Sequence, residues 1–170
     1  MDDVIGCFVC DVVHERTKVP GGLIYEQRHW HVDHCVGPLG LGTLIVKPKR
    51  HVVHVADLTD VEAAEQGRVL RDAARVTTTI LHPEQVYVSL WSHAGGVPGH
   101  IHYVVQPVTR AVIEEFGYGP DVHSGMFKAN CLPDPDAVTE FAEAARAMFG
   151  SSQRHNCRSV LVGREQDQAI

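Results

Sequence analysis

The sequence lacks the features of membrane, secreted and nucleic-acid-coating proteins. It has no apolar run near the roughly 20 residues that a membrane helix needs. The first residues, MDDVIGCFVCDVV, are acidic before their apolar stretch, which is unlike a secretion signal, so we expect a cytoplasmic protein. The formal net charge of −6 argues against duplex nucleic acid as a partner, because phosphate neutralisation needs a clustered basic surface. A small anionic ligand needs only a local group of N–H donors and is not excluded.

The cysteines are odd in number, which argues against a disulfide framework in a reducing compartment. The five cysteines are Cys7, Cys10, Cys35, Cys131 and Cys157. The first two form a C-x-x-C pair, CFVC. It can be read as two small buried side chains, as a redox motif, or as half of a four-coordinate zinc site. No thioredoxin-like βαβ unit follows, which disfavours the redox interpretation. His51 and His100 are candidates for the other two zinc ligands, because both lie at predicted strand ends.

The order of predicted elements indicates an α+β fold. Strands are predicted in GGLIYEQRHWHVDHCV, TLIVKP, QVYVSLW and HIHYVVQ, and a T-x-x-E capping box begins a long helix over about 59–80. A C-terminal helix follows in PDPDAVTEFAEAARAMFG, with Gly150 beyond its end. The short loops favour an antiparallel sheet over a doubly wound one. We expect a single domain over residues 1–150 and a polar, flexible tail over 151–170.

Two histidines lie two residues apart in GVPGHIHYVVQP. If this is a strand, His100, His102 and Val104 share one face, while Ile101, Tyr103 and Val105 share a core-like face. The two imidazoles can be structural, can bind one catalytic metal ion, or can include a nucleophile. The glycines of HAGGVPGH favour a nearby anion, because glycine lets the backbone approach a ligand closely.

Together these segments resemble the histidine triad (HIT) family of nucleotide hydrolases and transferases, in its zinc-carrying bacterial type. The resemblance covers about residues 5–107 and rests on CFVC, GTLIVKPKRHVVHVADLTDVE and GGVPGHIHYVVQP. It implies an antiparallel sheet of about five strands, with a long helix and a C-terminal helix. It also implies a nucleotide ligand, no membrane partner, and a homodimer.

The resemblance gives the two imidazoles separate roles. His102 matches the nucleophile that attacks the α-phosphate and forms a nucleotidyl–histidine intermediate. A structural Zn²⁺ would be held by Cys7, Cys10, His51 and His100. Substrate contacts would come from Ser92, His93, Gly95, Gly96, Gly99 and Asp33. The substrate would be a dinucleoside polyphosphate of the Ap4A type, or a nucleoside monophosphate ester or amide.

The sequence departs from the family pattern at several positions around the expected site. Val104 stands where the third histidine belongs, Gly96 replaces a glutamine, and Val97 replaces a serine or threonine. Cys35 occupies the position of the acidic residue that holds the ribose, and Asp33 could substitute for it from the same strand face. Two alternatives to a nucleotide hydrolase or transferase therefore stay open. One is a catalytically weak nucleotide-binding protein, and the other is a metal-dependent hydrolase that uses His100 and His102 on one ion.

Overall fold

A five-stranded antiparallel sheet forms the centre of the chain, as the sequence predicts. The computed structural model describes residues 3–90, 92–94 and 97–164, with the side chains of 94, 97 and 152–164 left aside. In spatial order the strands are β1 (Leu23–Glu26), β2 (Trp30–His34), β3 (Leu44–Pro48), β7 (Tyr103–Val108) and β4 (Gln85–Leu90). A separate two-stranded ribbon pairs β5 (His93–Ala94) with β6 (Val97–Pro98). The fold is α+β, in agreement with the prediction.

Helices of very different length surround this sheet. They are α1 (Phe8–Val13), α2 (Asp60–Leu81), α3 (Arg110–Phe116), α4 (Pro120–Ala129) and α5 (Pro135–Arg164), with a short 3₁₀ turn at Val55–Asp57. Within the described part of the chain, no helix combines the length and the apolar character that a membrane span requires.

The predicted capping box is present at the start of α2. The Thr59 hydroxyl accepts a hydrogen bond from the backbone N–H of Glu62, and the Glu62 carboxylate accepts one from the backbone N–H of Thr59. The helix ends at His82, which adopts the left-handed conformation before Pro83. The predicted long helix is therefore confirmed to within one residue at each end.

The predicted end of the last helix is wrong. Helix α5 does not stop at Gly150 but continues to Arg164, and residues 165–170 of the expected tail lie outside the described part. A lone glycine costs a helix only about 1 kcal/mol relative to alanine, so it terminates a helix only where the backbone turns left-handed. Gly150 has no positive φ.

The two faces of the sheet carry two apolar clusters. Helices α2 and α5 cover the first face, where the cluster includes Trp30, Val46, Val69, Tyr103, Val105 and Phe141. Helix α4 packs against the second face through Val122 and Met126, which contact the cluster of Cys35, Leu39, Val104 and Val108. The second face also carries His102, at the edge of this apolar packing.

The sequence predicts that strand β7 begins at His100, but in the structure it begins at Tyr103. The backbone N–H of Ile101 donates to the carbonyl of Val52 (2.8 Å), and that of His102 donates to Ser92 Oγ (3.1 Å). These bonds replace the ladder bonds of a strand. The expected alternation nevertheless persists, because Ile101, Tyr103 and Val105 are buried and Val104 packs on the opposite face.

Candidate functional site

Helix α1 brings the first two cysteines to one place. Cys7 is its N-cap residue and Cys10 lies three positions further, so both thiols lie on the same side of the helix. Cys10 is fully buried, and Cys7 is half-buried. The pair thus points from the short helix into the protein interior.

Two histidines from the ends of neighbouring strands complete this group, which we call the Cys–His cluster. His51 follows β3 and His100 precedes β7. The Nδ1 atom of His51 lies 3.3 Å from Cys10 Sγ, and Nδ1 of His100 lies 3.5 Å from Cys10 Sγ and 3.9 Å from Cys7 Sγ. One nitrogen or sulfur atom from each of the four residues lies within 4.8 Å of the others. The four residues singled out in the sequence therefore converge.

The chemistry of the Cys–His cluster fits a soft or borderline metal ion. His100 donates its Nε2–H to the carbonyl of Pro48 (3.0 Å), which leaves the lone pair of Nδ1 directed at the thiols. Burial raises the pKa of Cys10 to about 11, while burial and the adjacent His51 lower the pKa of His100 to about 4. A divalent cation would favour the thiolates that burial alone disfavours. Two thiols and two imidazoles could hold a metal ion, and they are a typical donor set for Zn²⁺.

His102 lies outside the Cys–His cluster. Its ring Nδ1–H donates to the carbonyl of His100 (3.2 Å), so Nε2 is the ring atom that carries the lone pair. Both ring nitrogens of His100 are already engaged, one by Pro48 and one by the cysteines. The geometry therefore disfavours a single metal ion shared by His100 and His102.

Two cavities meet at His102. The first, which we call the apolar cavity, has a volume of about 300 Å³ and is lined mainly by aliphatic and aromatic side chains, including Phe8, Ile45, Val104 and Phe127. The second, the loop cavity, has a volume of about 480 Å³ and is lined by Ser92, His93 and Gly99 among others. Phe8, Val9 and His102 line both. A ligand could therefore extend to both sides of the His102 imidazole.

The remaining predicted substrate contacts are divided between these cavities. Ser92, His93 and Gly99 line the loop cavity, while Gly95 and Gly96 lie outside the described residues. Asp33 lines the apolar cavity, as predicted from its strand face, but it is only 2% exposed. Its carboxylate accepts a hydrogen bond from Lys47 Nζ, and His31 Nε2 lies 3.2 Å from the same oxygen. Asp33 is thus already bonded to Lys47, whereas His31 Nε2, although close, makes no hydrogen bond within the described part of the chain.

Sequence reasoning missed three side chains that line the apolar cavity. Lys47 projects into it from β3, while His123 and Phe127 reach it from α4. For Lys47 a signal existed, because alternation along TLIVKP places residues 45 and 47 on one face. For His123 and Phe127 no such signal exists, because nothing in the sequence of α4 indicates which strand it covers.

No protein-family profile and no curated protein matches this chain. Among solved structures, it is similar to a zinc-bound histidine triad family protein from Mycobacterium smegmatis, with 21% identity and a TM-score of 0.64 over 87% of this chain and 98% of that one. It is also similar to a hypothetical histidine triad nucleotide-binding protein from Sulfolobus tokodaii, with 18% identity and a TM-score of 0.66 over 87% and 95%. A HIT family protein from Bacillus anthracis matches with 20% identity and a TM-score of 0.58, over 68% and 79%.

These matches confirm the predicted resemblance at the level of the fold. They also extend it, because 87% of the chain is more than residues 5–107 alone can supply. The chain therefore has the fold of the histidine triad proteins.

Proposed function

We propose that this protein is a nucleotide hydrolase or nucleotidyltransferase in which His102 is the nucleophile. The observation that carries the proposal is the position of His102, outside the Cys–His cluster and at the junction of the apolar and loop cavities. One side of a substrate, the nucleoside, fits the apolar cavity. The leaving group then occupies the loop cavity, and the α-phosphorus lies at the imidazole between them.

The reaction proceeds in two displacements. The Nε2 lone pair of His102 attacks the α-phosphorus, an N–P bond forms, and the bond to the leaving oxygen or nitrogen breaks with its electron pair. The leaving group takes a proton from solvent, and the hydrogen bond from Nδ1 to the His100 carbonyl stabilises the charge on the ring. Water or another acceptor then attacks phosphorus and loses a proton to solvent, while the N–P bond breaks and its electron pair returns to Nε2 of neutral His102. Dinucleoside polyphosphates and nucleoside monophosphate esters or amides are the substrates that this sequence of steps suits.

We further propose that Cys7, Cys10, His51 and His100 hold a structural Zn²⁺. The ion would tie α1 to the ends of β3 and β7 and so fix the position of the peptide that precedes His102. The donor set and the convergence of its atoms support this, as does the zinc-bound protein of the same fold. A cytoplasmic location stays a prediction from the sequence, and a homodimer stays a prediction from the resemblance.

A second candidate, a nucleotide-binding protein with weak turnover, is favoured by Val104. This side chain is 3% exposed and lines the apolar cavity where the family pattern has a third histidine. It can neither donate a hydrogen bond to a phosphate oxygen nor transfer a proton. Loss of one transition-state donor costs on the order of 3 kcal/mol when nothing replaces it.

Mass spectrometry of the protein after incubation with a panel of nucleotides tests the mechanism. We expect a nucleotidyl adduct on His102, loss of turnover in His102→Ala, and wild-type turnover in His54→Ala, whose side chain is exposed and lies outside both cavities. An adduct on another residue, or full activity of His102→Ala on every nucleotide that the wild type cleaves, would refute it. Tight nucleotide binding without turnover would favour the second candidate.

A further inference from the structure

A lysine lines the apolar cavity, as His102 does, on the same face of the sheet. Lys47 is 3% exposed, and it pairs across the sheet with His31 of β2. The last pair between β3 and β7 is Val46 with Tyr103, and Lys47 and His102 are the residues immediately beyond this pair on the two segments. Lys47 and His102 both line the apolar cavity. The lysine therefore shares a cavity with the proposed nucleophile, although it is 55 positions earlier in the chain.

The surroundings of Lys47 leave part of its hydrogen-bonding capacity for a ligand. Its Nζ donates to Asp33 Oδ2, whereas an ammonium group has three N–H donors. Among the described residues that line the apolar cavity, Lys47 is the only lysine or arginine. Ile45 and Val104, which line the same cavity, offer no polar side-chain atom.

Stability does not explain this arrangement. A buried ion pair contributes little or nothing compared with apolar residues of the same size, because both charges lose their hydration. A buried cation directed into a cavity is instead typical of sites that bind an anion, where the low dielectric strengthens its attraction.

We propose that Lys47 binds the phosphate that is presented to His102, and that Asp33 is a positioning residue that holds the ammonium group in place. This rests on the proposed function and specifies its substrate class. The ligand carries a negative charge where the apolar cavity meets His102. Nucleoside 5′-phosphates and their esters and amides carry such a charge. Lys47 then supplies, from the neighbouring strand, donors that Val104 cannot.

The proposal also assigns Asp33 to the lysine and not to the sugar. Its Oδ2 accepts from Lys47 Nζ, and the residue is only 2% exposed, so little of the carboxylate is accessible to a ribose hydroxyl. The site should therefore bind the ribose and deoxyribose forms of a nucleotide with similar affinity.

Calorimetric titration with AMP, dAMP, adenosine and inorganic pyrophosphate tests this assignment. We expect the wild type to bind AMP and dAMP about equally and adenosine more weakly. Lys47→Met should lose at least about tenfold in AMP affinity with little change for adenosine, since a hydrogen bond to a charged group is worth about 1.5–3 kcal/mol. Lys49→Met is the matched control, because Lys49 is paired with Glu26 and lies outside both cavities.

A second variant separates binding from folding. Lys47→Met alone leaves the Asp33 carboxylate buried without its cation, so the double variant Asp33→Asn with Lys47→Met is measured beside it. The double variant should fold and should show the same selective loss for AMP. An equal loss for AMP and adenosine would show that the pair is merely structural and would overturn the proposal.

Other results separate this proposal from the proposed function. Wild-type protein that binds adenosine as tightly as AMP, or that binds neither AMP nor pyrophosphate, overturns the anion site without any variant. If His102 forms its adduct while the Lys47 variants bind AMP as the wild type does, the proposed mechanism is supported and the role of Lys47 is refuted. If AMP affinity depends on Lys47 but no adduct forms at His102, the anion site is supported and the assignment of His102 as nucleophile is refuted.

Discussion

Glu62 joins the start of helix α2 to the loop that carries His51, and its replacement by glutamine tests how much that link stabilises the protein. Its Oε1 accepts a hydrogen bond from Arg50 Nε (3.0 Å), and its Oε2 accepts one from Arg50 Nη2 (2.7 Å). The same Oε2 accepts bonds from the backbone N–H (2.8 Å) and hydroxyl (3.0 Å) of Thr59. Arg50 immediately precedes His51, so the carboxylate holds helix start and loop together.

The magnitude follows from the pKa of this carboxyl group. The hydrogen bonds from Arg50, followed by those from Thr59, hold the pKa of Glu62 at about 2, compared with its ordinary value of 4.5. A difference of that size corresponds to about 3 kcal/mol of stability. Because the Arg50 side chain is 30% exposed, solvent screening reduces the expected loss in Glu62→Gln to about 2 kcal/mol.

The pH dependence gives the sharper test. The folded pKa is depressed, so the contribution is fully present above the unfolded pKa and is lost as the pH falls through the folded one. Urea denaturation should therefore show the full difference between wild type and Glu62→Gln at pH 6 to 7, and a difference that shrinks steadily below pH 4.5. Asp60→Asn removes the same charge from the first turn of α2 and should cost at most about 0.5 kcal/mol. A pH-independent difference, or one equal to that of the control, would refute the reasoning.

Three further perturbations have expected outcomes. Cys10→Ser should lower zinc content and thermal stability, measured by elemental analysis and calorimetry. Cys131→Ser, outside the Cys–His cluster, should leave the zinc content unchanged, and zinc-free wild-type protein would contradict the site. Gly42→Ala should cost at least about 2 kcal/mol in urea denaturation, because the residue has φ +81° and its Cβ would lie 2.2 Å from Leu81 Cδ1; an unchanged midpoint would contradict this. His34→Leu should cost about 2 kcal/mol at pH 7, because His34 accepts from Gly42 N–H and donates to the Cys35 carbonyl. Burial lowers the pKa of His34 below 6.5, so this last difference should narrow as the pH falls below 6.5, and a constant difference would contradict the assignment.

Local signals in the sequence are sufficient to predict an element whose structure is determined by its own residues. The capping box and the apolar period located α2, and the side chain of Asp134 caps α5 by accepting from the N–H groups of Asp136 and Ala137. The prediction failed at β7, whose first three expected residues have the alternation of a strand without its ladder. Their backbone groups bond to Val52 and Ser92, which are distant in sequence, and alternation alone carries no information about such partners.

The helices that line the site were harder to predict. Helix α1 has only six residues, too few for a recognisable apolar period, and its sequence was read only as a cysteine motif. Helix α4 begins with Gly119 and Pro120 and has no polar side-chain cap. Its position on the sheet depends on Val122 and Met126 packing against Cys35, Leu39 and Val108, which are contacts that only the folded chain reveals.

The separation of the two imidazoles was predictable only in part, and the part that was not predicted determines the chemistry. The resemblance gives His100 and His102 different roles. It places polar residues around His102, however, that this chain does not have. The substitute lies on β3, and the 14 positions between Asp33 and Lys47 hide a direct contact that the β2–β3 register creates. Missing donors on one strand therefore do not by themselves imply lost catalysis. The residues that share a cavity with the proposed nucleophile bear on that conclusion, and here they include the buried Lys47.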